Sequence, residues 1–155
     1  MDFRVLKINY DLHQVRAVAW CPDPGHPRLL SVGLGNGKVA IVNFTGEANV
    51  LKEFAPKYSR PCSALAWSAA NQGLVAVGLH KLRNDNSTLV WDVRHSDTRT
   101  AAAVRTSGSA SPAVVTTPLH ALTSSEATVS LAWGPKSSHS LFVGTGYAVE
   151  CAPPE

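Results

Sequence analysis

The side chains that could perform chemistry are few and dispersed. Six histidines (His13, His26, His80, His95, His120 and His139) and three cysteines (Cys21, Cys62 and Cys151) include no set at metal-ligand spacing on one element. The three thiols show no CxxC spacing and lie too far apart for a disulfide framework, which points to reduced cysteines in a cytosolic setting. Ser107 to Ser111 (SGSAS) places serines beside a glycine, but the GxSxG elbow that would hold a nucleophile against a base and an oxyanion site is missing. Gly33 to Lys38 (GLGNGK) mimics a phosphate loop yet fits neither GxGxxG nor GxxxxGKS. The VAIVNF that follows is β-branched, where a phosphate site needs a helix N-terminus. The expectation is a non-enzyme with no catalytic, cofactor-binding or metal-ligating residue and no cofactor, whose partner-binding positions the sequence does not assign.

Lys52 to Arg60 interleaves Phe54 and Tyr58 with basic residues, the types that stack bases and hold phosphates. Single-strand binding normally uses a charged groove with several stacking platforms, so the preferred reading is a connector whose aromatics pack on a neighbouring sheet. The net charge of +3 comes from scattered lysines and arginines without a basic arm. No nucleic-acid partner is expected.

The elements that must carry these residues are short strands. Charged residues make up only 16% of the 155, while 11 glycines and 10 prolines punctuate the apolar runs. That composition suits strands and tight turns better than helices with charged outer faces. Phe3 to Tyr10 alternates as a strand, and Val15 to Trp20, Leu29 to Gly33 and Lys38 to Phe44 follow as three more. The Asn36–Gly37 pair predicts a hairpin between the last two, because both residue types accept positive φ. After Gly46 a connector runs to Cys62.

The same unit recurs. Ala17–Phe44 (AVAW, LLSVG, KVAIVNF), Ala64–Val93 (ALAW, LVAVG, STLVWDV) and Ser130–Gly146 (SLAW, LFVGTG) each begin with an apolar run ending in Trp20, Trp67 or Trp133. A glycine, Gly33, Gly78 or Gly144, closes the next run. Together with Trp91 these tryptophans recur at equivalent positions, as core residues do. Trp91–Asp92 is the dipeptide that names WD repeats, and the first Trp-to-Trp interval fits a propeller blade of about 40 to 45 residues. The fold class is therefore all-β, a partial WD-repeat β-propeller of about two and a half blades.

Residues 1–146 form the propeller part, with blade units near 15–44, 64–93 and 130–146. A flexible insertion, poor in hydrophobics, spans 94–111. Val114 to Leu122 is the outer strand of the second blade, and 147–155 is an irregular tail where a hairpin and third strand would be due. Propellers close with about four to eight blades, so the expectation is a piece of a longer propeller protein, ahead of a truncated product or a part completed by another chain. With no run of 18 apolar residues, membrane association is expected through partners only.

Glu53 to Val93 carries more than a generic repeat. The EFAPK-x-x-R-x-C lead into LAW, the long turn His80–Ser87 (HKLRNDNS) before LVWDV, and the order of VAW, LLSVG, NGKV, PLHAL and SLAW resemble the N-terminal propeller of the Missing oocyte (Mio, meiosis regulator for oocyte development) family. These are WD-repeat subunits of the GATOR-two complex, called SEA in yeast. The resemblance covers about Val15 to Gly144. It implies a non-catalytic scaffold that serves amino-acid signalling to the TORC-one kinase. The expected partners are other GATOR-two WD-repeat subunits and nutrient-sensor proteins, and the expected location is cytoplasmic, peripheral at the lysosomal or vacuolar membrane. Full-length members also carry an α-solenoid and a zinc-binding RING-like module, and neither pattern occurs in these 155 residues. An unrelated WD-repeat scaffold in RNA processing or trafficking is the alternative. His80–Ser87 is the loop where partner contacts are to be sought.

Overall fold

The computed structural model describes residues 12, 14–44, 48–94, 112–135, 140–146 and 149–152. The strand expected over Phe3–Tyr10 and residues 95–111 of the insertion lie outside them. The described residues form three sheets. The first contains β1 (Val15–Trp20), β2 (Leu29–Leu34), β3 (Val39–Phe44), β4 (Ala48–Phe54) and β8 (Ala113–Val115), in that order. The second is β5 (Cys62–Trp67), β6 (Leu74–Leu79), β7 (Thr88–Asp92) and β9 (His120–Leu122), and the third is β10 (Thr128–Trp133), β11 (Leu141–Thr145) and β12 (Val149–Ala152). Apart from β8, which joins the first sheet parallel to β4, the strands of each sheet pair antiparallel, and the first strands β1 and β10 both flank β5. The fold is an all-β partial propeller.

The apolar runs are continuous because the second and third strands of the first two sheets are buried on both faces. On the first sheet Val39, Ile41 and Phe54 meet Val75, Val77 and Trp91 of the second. Ala76, Val90 and Leu74 on the second sheet's far face meet Leu141 and Val143 of the third. Alternation within one strand thus feeds two cores.

The recurring glycines have a steric cause. The Cβ of an alanine at Gly33 would collide with Cys62 Sγ and lie 3.0 Å from Cys62 Cβ, and at Gly78 it would lie 2.7 Å from Thr128 Cγ2. Cys62 and Thr128 are the equivalent first residues of β5 and β10, each beside a register shift in its strand. The missing side chain lets the next sheet's first strand seat against the one before.

Four details depart from the sequence reading. Residues 48–54, assigned to a connector, are the fourth strand of the first sheet, with Val39 paired to Phe54 and Val42 to Val50. Val114–Leu122 is two strands in two sheets: β8 pairs parallel with β4, while β9 pairs with β7. Pro118, which lacks an N–H, divides them, and Leu119 N–H then bonds Val90 O at 2.8 Å. The tail is not irregular throughout, since Val149–Ala152 completes a third strand on β11. The Leu34–Lys38 turn is a hairpin as expected, but only Gly37 takes positive φ (82°). Asn36 instead accepts the Lys38 N–H on Oδ1 at 3.0 Å, so three residues span the loop and the glycine alone supplies the left-handed step.

Candidate interaction surface

At the end of the sheets where β2, β4, β6 and β9 finish, four loops gather around Arg60. Its side chain is buried, 6% exposed, beneath the Ala55–Pro61 linker. The guanidinium donates to His80 O at 3.4 Å and to Asn86 O, and it pairs with Asp85 at 2.9 Å. Burial lowers the proton affinity of this guanidinium and Asp85 partly offsets the effect. Arg60 N–H also bonds Asn36 O at 3.3 Å, which ties the first sheet's hairpin to the same point.

The long His80–Ser87 loop is thereby held from both sides. His80 N–H bonds Pro61 O at 3.0 Å and Asp85 N–H bonds Leu82 O at 2.9 Å, closing a tight turn. Lys81 Nζ reaches the Ser124 carbonyl and the Thr123 hydroxyl bonds Asn86 Oδ1, so the second sheet's last loop supports the other flank. Arg83 sits at the tip with φ of 43°, a left-handed conformation that costs a long side chain of order 1 kcal/mol.

Between this tip and the linker lies a cleft of about 450 Å³ lined by Lys57, Tyr58, Leu82, Arg83, Asn84 and Asp85. Tyr58 and Leu82 are 46% and 39% exposed, and Lys57 Nζ stands 5.1 Å from the Tyr58 ring centroid. A second cleft, of about 550 Å³, opens at the opposite end between Cys21, His26, Trp67, Asn71 and Arg94. Its rims are closed by local pairs, His26 Nδ1 with Asp23 at 2.8 Å and Arg94 with Asp92 at 3.1 Å. The His26 hydrogen bond holds the Asp23 carboxyl below its ordinary value.

The basic–aromatic stretch separates in space. Phe54 is fully buried and stacked on Trp91, centroids 5.1 Å apart, and Lys52 Nζ donates to Val93 O at 2.6 Å. Phe54 therefore packs on the neighbouring sheet, as the connector reading held, although from a strand. Lys57 and Tyr58 alone of its ring and basic side chains are exposed. Among the described residues no three His, Cys, Asp or Glu side chains converge as a metal site. His13, His95, His139 and Ser107–Ser111 lie outside the described residues.

The tryptophans are not equivalent. Trp20, Trp67 and Trp133 end β1, β5 and β10, whereas Trp91 lies on β7. Trp67 packs back onto the first sheet, and Trp133 packs onto the second with Nε1 donating to Ala66 O at 3.1 Å. Trp20 points the same way, off the first sheet's outer face, and is 60% exposed. Arg60 was missed as an organising residue. Its place among flexible-looking Pro, Ser and Tyr gave no periodic signal of burial.

A family model described as "MIOS, WD40 repeat" matches residues 2–150. The chain belongs to the MIOS WD40-repeat family. It is 36% identical over 149 residues to the GATOR2 complex protein MIOS of Danio rerio and 34% over 152 residues to MIOS-A of Xenopus laevis. The Dictyostelium discoideum GATOR2 complex protein MIOS is 30% identical over 174 residues. These alignments cover 90–92% of this chain but only 16–17% of the relatives, so the chain spans about a sixth of their length. Among solved structures, the β-propeller domain of Myceliophteria thermophila Cps50 (Swd1) superposes with a TM-score of 0.55 at 11% identity, covering 85% of this chain and 33% of that one. That likeness supports the propeller fold alone. The Mio resemblance read from Glu53–Val93 is borne out by the MIOS family match.

Proposed function

We propose that the chain is a non-catalytic scaffold segment of a GATOR2-type assembly, which presents loops on a rigid sheet stack to protein partners in amino-acid signalling to TORC-one. The observation that carries this reading is the family match over nearly the whole chain, together with loops held by buried contacts at one end of the stack. Rigid sheets with loops fixed at their ends suit recognition of protein surfaces. The partners are then other GATOR2 WD-repeat subunits and nutrient-sensor proteins, and the location is the cytoplasmic face of the lysosome or vacuole, reached through the complex.

Affinity purification of the tagged chain from cells tests the reading. Recovery of GATOR2 subunits is expected, together with an altered TORC-one response to amino-acid withdrawal on overexpression. A ribonucleoprotein set recovered without any GATOR2 subunit would sink it. Fluorescence of the tagged chain beside a lysosomal marker addresses location separately.

A further inference from the structure

The geometry points to the Lys57–Asp85 cleft as a docking site for an acidic, extended segment of a partner protein, with one apolar side chain seated on Leu82 and Tyr58 and carboxylates over Lys57 and Arg83. The inference rests on the scaffold reading and adds a surface and a partner chemistry to it. The first ground is charge. The cleft is lined by Lys57 and Arg83 against one carboxylate, Asp85, and that carboxylate is already held by Arg60 at 2.9 Å. The two exposed cations are left to attract an anionic ligand.

The second ground is preorganisation. A loop tip with one face apolar and one face basic would ordinarily lose its shape in solvent. Here Arg60, Pro61 and Lys81 fix it from beneath, so a ligand does not bear the cost of ordering it. Arg83 holds a left-handed backbone that a glycine would adopt freely, and this strain projects a cation from the tip. Leu82, 39% exposed beside Tyr58, supplies an apolar seat that water covers poorly.

A protein ligand fits better than a nucleic acid. Tyr58 is the one ring lining the cleft, since Phe54 is sealed under Trp91, and a single platform does not track successive bases. Leu82 rewards an aliphatic side chain, which a nucleotide lacks.

The test is fluorescence anisotropy at low salt with the full 155-residue chain and a labelled heptapeptide of three glutamates on each side of a central leucine. Binding is expected, at least tenfold weaker for the glutamine counterpart and severalfold weaker when alanine replaces leucine. The double variant Lys57→Glu, Arg83→Glu should reduce affinity at least tenfold while circular dichroism stays unchanged, because both side chains are in solvent. Arg83→Gly separates charge from strain: it relieves the backbone, so stability holds or rises while affinity falls. Failure of the heptapeptide to bind, equal binding of the glutamine peptide, no loss in the double variant, or tighter binding of a ten-nucleotide uridine strand would each overturn the proposal. None of these outcomes bears on recovery of GATOR2 subunits from cells, so the two readings fail independently.

Discussion

At Gly33 a single hydrogen decides whether two sheets can meet. An alanine there would drive its Cβ into Cys62, and neither side can retreat easily, because Cys62 is fully buried in the core cluster that also holds Val39, Leu79 and Leu89. Gly33→Ala should destabilise the fold by about 1–3 kcal/mol in urea unfolding, and by less in a Cys62→Ala background, where the sulfur is gone. An equal cost in both backgrounds would mean the collision is not the cause. Burial also pushes the Cys62 thiol up to about 11 from an ordinary 9.0. A raised thiol in the folded state gives stability that is intact below pH 9 and lost as the pH rises toward 11, since only the unfolded chain then ionises readily. The loss amounts to about 2–3 kcal/mol. Cys62→Ala should flatten that slope between pH 9 and 11. Thiol labelling under native conditions should rank exposed Cys151 first, half-buried Cys21 next and Cys62 last, its reaction tracking unfolding.

The elements divide into those whose partners are local and those whose partners are distant, and legibility follows that division. The strands β1, β2, β3, β5, β6, β7, β10 and β11 were readable because they are short apolar runs bounded by Trp, Gly or turn residues and joined in sequence order within one meander. The strand β4 was hidden because its residues Lys52 and Glu53 look like solvent-facing linker, and its pairing with β3 depends on register rather than apolar content. The parallel pairing of β8 with β4 was illegible in principle: the chain leaves the second sheet, braces the first and returns, and only the tertiary fold specifies that excursion. The candidate cleft was half legible. His80–Ser87 stood out by length and Lys57–Tyr58 by composition, but Arg60, which joins them, had no pattern to betray its burial. Arg60→Ala removes the donor to His80 O and Asn86 O and leaves Asp85 without its cation. A loss of about 2–3 kcal/mol is expected, with amide exchange accelerated across 80–87 before it accelerates in β6. Arg60→Lys should not rescue it, because one ammonium cannot span the three acceptors. Uniform acceleration through the second sheet would show that Arg60 supports the core rather than the loop.

Among the described residues, exposed apolar side chains mark each end of the three-sheet stack: the β1 edge of the first sheet, whose Leu30, Val32, Ala40 and Val42 are buried on that same side, and an open face on the third. On the first sheet Val18 and Trp20 are 53% and 60% exposed, and on the third Val129, Phe142 and Val149 are 55%, 41% and 74% exposed. The two faces differ as the two sides of an internal joint differ. Trp20 points outward as Trp67 and Trp133 point onto the sheet before them, while Gly144 with its neighbour Val149 repeats the receptive side that Gly78 and Thr88 offer to Thr128. A contact between the exposed Trp20 edge of one copy and the trailing face of another would be head-to-tail rather than symmetric. The isolated 16.5 kDa chain should self-associate with rising concentration in sedimentation equilibrium. A head-to-tail contact uses one face of each kind, so Trp20→Ser alone and Phe142→Ser alone should each shift the chain toward monomer, and the pair should add little. If self-association survives either single change and falls only with both, each face is pairing with itself. A monomer at all concentrations would mean that neither face drives association.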